Sequence, residues 1–205
     1  MELNAVLSWL SLLKHRFYCS GEKYVFGMSA DTLVGMPDLS PRIESRCEVI
    51  RDPAGFDRQT SYPEIKKEIF KFKYYLRQGC QVYLVFHQNA VVAHAVVARL
   101  NRFRPYSFAN HAVFQGGTSY LVFYGQTFPE YRGQGINSYI LTQICKNNIK
   151  TGERVFVTSD WDNVASHKTI QKAGFKKIGV LNYLKVSFFT LRTVFKATEV
   201  EPLRS

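Results

Sequence analysis

The chain has 205 residues, 46% hydrophobic and 21% charged, with 27 Lys and Arg against 16 Asp and Glu for a net charge of +11. That length is ample for one domain with a real core, and the apolar fraction excludes a disordered chain. The basic excess is even: residues 1–110 carry 15 basic and 10 acidic groups, and residues 111–205 carry 12 and 6. With no block of like charge, the excess permits a polyanionic partner without pointing to nucleic acid.

Residues 1–17 place Leu3, Val6, Leu7, Leu10, Leu13 and Phe17 at helical spacing, which predicts an amphipathic helix docked on its own domain. No basic residue precedes that apolar run, as a signal peptide requires, and no stretch is long enough for a membrane span. Cys19, Cys47, Cys80 and Cys145 are far apart and read as buried free thiols in a reducing cytoplasm. Neither they nor His15, His87, His94, His111 and His167 have metal-ligand spacing, so no metal is expected and the histidines read as structural or surface groups.

In chain order, residues 24–28 predict a short strand, and Pro37 to Pro41 break the chain. Residues 1–43 therefore read as an extension packed on a domain of residues 44–205. Residues 45–51 alternate as a strand. Ser61-Tyr-Pro-Glu64 has the form of a capping box opening a helix over 63–77, which Gly79 ends. Residues 81–86 and 91–100 form a hairpin through 87–90, and 101–109 a loop. A strand over 119–128, a helix over 136–149, a strand over 155–158 and a helix over 164–172 follow. Strands over 175–185 and 188–196 close the chain. This order predicts an α+β (mixed α/β) fold with a mixed, mostly antiparallel sheet flanked by helices, not a doubly wound one.

The segment Pro129-Glu-Tyr-Arg-Gly-Gln-Gly-Ile-Asn137 lies between a predicted strand and helix. Its glycines allow a tight turn in which several N–H groups converge without Cβ obstruction, at the positive end of a helix. That is an anion cradle, with Arg132 as a fixed cation; an ordinary strand-to-helix turn is the alternative. No GxxxxGK[ST] is present. A dinucleotide fingerprint fails because Ser138 replaces the third glycine and four residues, Pro129 to Arg132, separate the strand from the first.

This loop resembles the acyl-CoA-binding loop of the GNAT superfamily of N-acyltransferases, Gln/Arg-x-x-Gly-x-Gly/Ala, with Arg132 and Gly135 in the first and fourth positions and Asn137 in the last. A second block, Asn163-Val-Ala-Ser166 through Lys172-Ala-Gly-Phe175, is similar to the family's Asn-x-x-Ser/Ala…Gly-Phe helix and turn. The resemblance covers residues 45–196. It implies two splayed parallel strands, 119–128 and 155–158, with acyl-CoA between them. Backbone groups near Gln126, Thr127 and Phe128 would pair with pantetheine amides, and N–H groups of Arg132, Gly133, Gln134, Gly135, Ile136 and Asn137 would hold the pyrophosphate. Asn163 and Ser166 would face the pantetheine arm, although Asn163 is equally placed to cap the following helix.

The implied reaction is direct transfer of an acetyl or other acyl group from acyl-CoA to a primary amine, with the Phe128 N–H as oxyanion donor. Two family features are missing. The tyrosine expected four residues before Gly-Phe is Ile170, and the strand 119–128 contains no Asp or Glu. Tyr124, Gln126, His111 and Tyr183 are the candidates for proton transfer, with Glu44 and Glu48 behind them; Glu130 reads as a helix-start acid. Lys168 and Lys172 border the expected cleft. The expectation is a cytoplasmic acyltransferase whose partners are acyl-CoA and an amine, with homodimerisation open. A non-catalytic acyl-CoA-binding module is the alternative.

Overall fold

The computed structural model describes residues 18–33, 35–36, 38–56, 63–115, 117–186 and 189–198. The predicted N-terminal helix and the Ser61 cap lie outside them. The strands are β1 (Tyr18–Ser29), β2 (Arg46–Ile50), β3 (Gln81–His87), β4 (Ala90–Arg99), β5 (Ser119–Thr127), β6 (Arg154–Asp160), β7 (Lys176–Val186) and β8 (Phe189–Ala197). The helices are α1 (Ala30–Leu33), α2 (Ile69–Arg77), α3 (Ile136–Asn148) and α4 (Val164–Lys172). The strands form one sheet in the order β2-β3-β4-β5-β6-β1-β7-β8, antiparallel throughout except for the parallel pair β5·β6.

Both faces of the sheet's centre are covered, which is why β3 and β4 are buried almost without interruption rather than alternately. Phe26, Met28, Val97, Val122 and Val157 pack with Ile140, Ile144 and Ile170 of α3 and α4 on one face. Leu84, Val96 and Phe123 pack with Phe72 and Leu76 of α2 on the other. Each fully buried Phe or Leu of this kind contributes roughly 1.5–3 kcal/mol.

Three expectations change. The strand read as 24–28 is the twelve-residue β1, paired along its length with β6 and β7 in the middle of the sheet. Gly21, Glu22 and Lys23 hide its first half from an apolar pattern. Residues before 43 thus supply a central strand, and the Arg42 N–H donates to Gln134 O at 2.8 Å, so the described part of that segment is built into the domain. The helix expected over 63–77 is α-helical only from Ile69, preceded by a 3-10 turn at Pro63–Ile65. The expected loop 101–109 runs into another such turn, Ser107–Asn110.

Candidate functional site

β5 and β6 pair only from Ser119↔Arg154 to Val122↔Val157. Beyond that point β5 runs on to Thr127 and β6 to Asp160 without pairing each other. The separation has a local cause. His94 and Val96 of β4 face Gln126 and Phe123 of β5, so β5 carries one extra residue there, and Tyr124 adopts φ +50°. A bulge with a left-handed residue bends its strand and raises its twist. His94 Nδ1 donates to the Tyr124 carbonyl at 3.1 Å and holds the bulge; because a carbonyl only accepts, the proton is on Nδ1. Burial pushes the His94 pKa down, favouring the neutral ring, and its Nε2 has no partner among the described residues.

A cavity of about 260 Å³ occupies the opening, lined by Val122 and Tyr124 of β5, Val157 and Ser159 of β6, and Ile170 of α4. The Ser159 hydroxyl is buried without a hydrogen-bond partner among the described residues. A second cavity of about 600 Å³ adjoins it, lined by Gly125, Gln126, Thr127 and the loop from Tyr131 to Ser138. Asn137, Asn163 and Ser166 line both.

Gly133 and Gly135 take φ of +77° and +81°, a region open to glycine, and Gly135 is the N-cap of α3 without a side-chain cap bond. Among the described residues, the N–H groups of residues 133–138 donate to nothing. They are the orphan donors of a helix start, lengthened by a glycine turn. Arg132, Lys172 and Arg42 line the same cavity. Lys168 does not. Arg42 has no sequence signal, since the backbone bond between Arg42 and Gln134 is what brings it there.

The sequence candidates separate cleanly. Gln126, Thr127, Arg132, Gly133, Gln134, Gly135, Ile136, Asn137, Asn163 and Ser166 all line the larger cavity. The Phe128 N–H, expected to serve an oxyanion, donates instead to Val92 O at 3.0 Å. Backbone alternation along an extended strand then turns the groups of Thr127 toward the opening, where its carbonyl accepts from Arg132 Nε at 3.3 Å. Asn163 does cap α4, accepting from the Ser166 N–H at 3.1 Å.

His111 accepts from the Val113 N–H at the start of a 3-10 turn and lines neither cavity. Tyr183 packs beside Gly21, and Glu48 pairs with Arg46 on edge strand β2. Glu44 is exposed and offers its carbonyl to His87. Of the four proton-transfer candidates, only Tyr124 and Gln126 reach the cavities. Burial raises the thiols of Cys47 and Cys80 to about 12, so neither is a ready nucleophile.

The sequence reading missed the surroundings of Tyr124. Its hydroxyl donates to Glu68 and accepts from Lys71 Nζ at 2.6 Å, both from the start of α2. Lys71 also pairs with Glu68 at 3.2 Å. The hydrogen bonds from Tyr124 and Lys71 hold the Glu68 carboxyl below its ordinary pKa, while burial and the Glu68 charge raise the Tyr124 phenol. Among the described residues no group of three or more His, Cys, Asp and Glu could hold a metal, and no helix is long and apolar enough to cross a membrane.

No protein-family model and no curated protein sequence matches the chain. Solved structures do. A GCN5-related N-acetyltransferase from Kribbella flavida superposes over 86% of this chain with a TM-score of 0.51 at 9% identity. The chain has the fold of the GNAT superfamily. Two further structures share it at a TM-score of 0.50 over 91% of the chain. They are a Drosophila protein at 12% identity and a functionally unknown Staphylococcus epidermidis protein at 14%. The chain spans 63%, 58% and 69% of those three chains, respectively. In this GNAT fold the splayed pair is β5·β6, and the glycine turn before α3 lies at its mouth.

Proposed function

We propose that this chain is an N-acyltransferase that takes acetyl-CoA, or another acyl-CoA, and acylates a primary amine. One observation carries the reading: the gap between β5 and β6 opens onto the N–H groups of residues 133–138, which have no partner among the described residues and are ringed by Arg132, Arg42 and Lys172. Amides in a turn with cations beside them fit a pyrophosphate. The Ser159 hydroxyl, which has no partner among the described residues, and the strand edge at Thr127 fit the amides of a pantetheine arm, which would reach inward past Asn163 and Ser166.

When bound, acyl-CoA supplies an activated thioester carbonyl. The protein holds the reacting groups together, which removes several kcal/mol from the barrier. Apolar Val122, Val157 and Ile170 keep water from the thioester end. Tyr124, Gln126 and Thr127 are the polar residues of β5 that line the opening, and buried thiols suit the reducing cytoplasm.

The rival reading is an acyl-CoA-binding module without turnover, favoured by Ile170, which places an apolar side chain 1% exposed against the cavity. Thiol release from acetyl-CoA, measured across a panel of small amines, amino sugars and lysine peptides, separates the two. Amine-dependent release supports the enzyme; acetyl-CoA binding with no release on any amine supports the module.

A further inference from the structure

β5 lacks an acid, yet a carboxylate stands behind it. Glu68 belongs to the turn before α2, 56 residues from Tyr124 in sequence, and accepts the Tyr124 hydroxyl proton on the face of the sheet opposite α3 and α4. Lys71 donates to the same phenolic oxygen at 2.6 Å. A phenolic hydroxyl is both donor and acceptor, so Oη can take a proton as it gives up its own. Tyr124 itself lines the cavity between the splayed strands.

Resting on the acyltransferase reading, we infer that Tyr124 and Glu68 form a proton relay for the acceptor amine, with Lys71 holding the charge on the phenolic oxygen. As nitrogen bonds to the acyl carbon, its N–H proton passes to Tyr124 Oη, and the proton already on Oη passes to the Glu68 carboxylate. The C–S bond breaks, and the thiolate takes a proton from solvent. Glu68 returns its own to solvent, which closes the balance. The Lys71 ammonium neutralises the phenolate character that develops between the two transfers. Tyr124 is the catalytic residue; Glu68 acts through it and is a positioning residue. The bond from His94 Nδ1 to the Tyr124 carbonyl fixes the backbone from which the ring projects.

The groups facing this relay are Lys71 and Tyr75 from α2, His94 from β4, and Tyr106 from the loop after β4. The test is E68Q, which keeps an acceptor for the Tyr124 hydroxyl but not the basicity. The relay predicts a kcat about 100-fold lower. It also predicts an unchanged KM for acetyl-CoA, loss of the acidic limb of the pH–rate profile and partial recovery in E68D. In the unliganded protein, ultraviolet titration of the tyrosine removed in Y124F should move to lower pH in E68Q. Wild-type kcat and pH profile in E68Q overturn the relay. So does a parallel fall of kcat, acetyl-CoA affinity and melting temperature, the mark of a purely structural contact. If E68Q does not fold, Y124F is measured in its place, and undiminished kcat overturns the relay. A wild type that binds acetyl-CoA and turns over no amine overturns the acyltransferase reading, and the relay with it.

Discussion

His94 donates its Nδ1 proton to the backbone carbonyl of Tyr124 at 3.1 Å, tying β4 to the bulge from which β5 departs from β6. The ring is 3% exposed and its pKa is lowered by burial. An unfolded histidine takes up a proton near pH 6.5, whereas the folded one resists until lower pH. Stability from the neutral ring is therefore complete above about pH 6.5 and is lost as pH falls toward the folded value. Denaturant unfolding should show wild-type stability declining between pH 7 and 5, with a flatter decline in H94Q. H94Q should also start about 1–3 kcal/mol lower at pH 7.5, from lost packing and an altered hydrogen bond. Equal pH slopes would refute the assignment.

The glycine turn predicts a separable effect. A Cβ at Gly135 would meet Pro41 Cα at 3.7 Å, an ordinary contact, so the penalty of G135A is its φ of +81°. That costs about 1–2 kcal/mol, read as a lower melting temperature, and displaces the N–H groups that follow. Acetyl-CoA affinity should fall by more than tenfold. Unchanged affinity would mean that the turn is not the cradle.

Asn163 has two readings that a pair of variants resolves. As the cap of α4, N163A loses about 1 kcal/mol of stability, while N163D keeps a capping oxygen. If Asn163 also faces the pantetheine arm, N163D weakens acetyl-CoA binding through its charge and lost amide donor while the melting temperature holds. Binding that follows stability alone would leave it a cap.

Arg42, Arg132 and Lys172 surround one cavity from three segments of the chain. Charge-assisted bonds to phosphate contribute about 1.5–3 kcal/mol each, so R42A and R132A should each weaken CoA binding by about tenfold or more. Removing either should also reduce the dependence of affinity on salt. A flat salt response in the wild type would contradict ion pairing at this rim.

What was legible in the sequence was local. The turn at Gly133 and Gly135 and the Asn163 cap are interactions within a few residues, and they are read from residue type and spacing. Two runs rich in Val and Tyr around a short loop marked the hairpin β3·β4, whereas the pairing of β5 with β6 was implied only by the family resemblance. The bulge was not legible, because one extra residue on β5 is defined only against β4. That bulge is why Phe128, the oxyanion donor the resemblance implied, turns its N–H to Val92. β1 was truncated because its Gly21-Glu-Lys23 stretch has no apolar pattern of its own and is held as strand by pairing with β7, far away in sequence. Glu68, Lys71 and His94 meet Tyr124 from separate elements, and convergence of that kind leaves no spacing to read.

The most direct measurement is a calorimetric titration of acetyl-CoA into the full chain at low salt, with R132A alongside. Saturable one-to-one binding at micromolar to sub-millimolar concentration, weakened in R132A, is the predicted result. No heat from folded protein at millimolar acetyl-CoA would contradict the assignment of the β5·β6 opening as an acyl-CoA site.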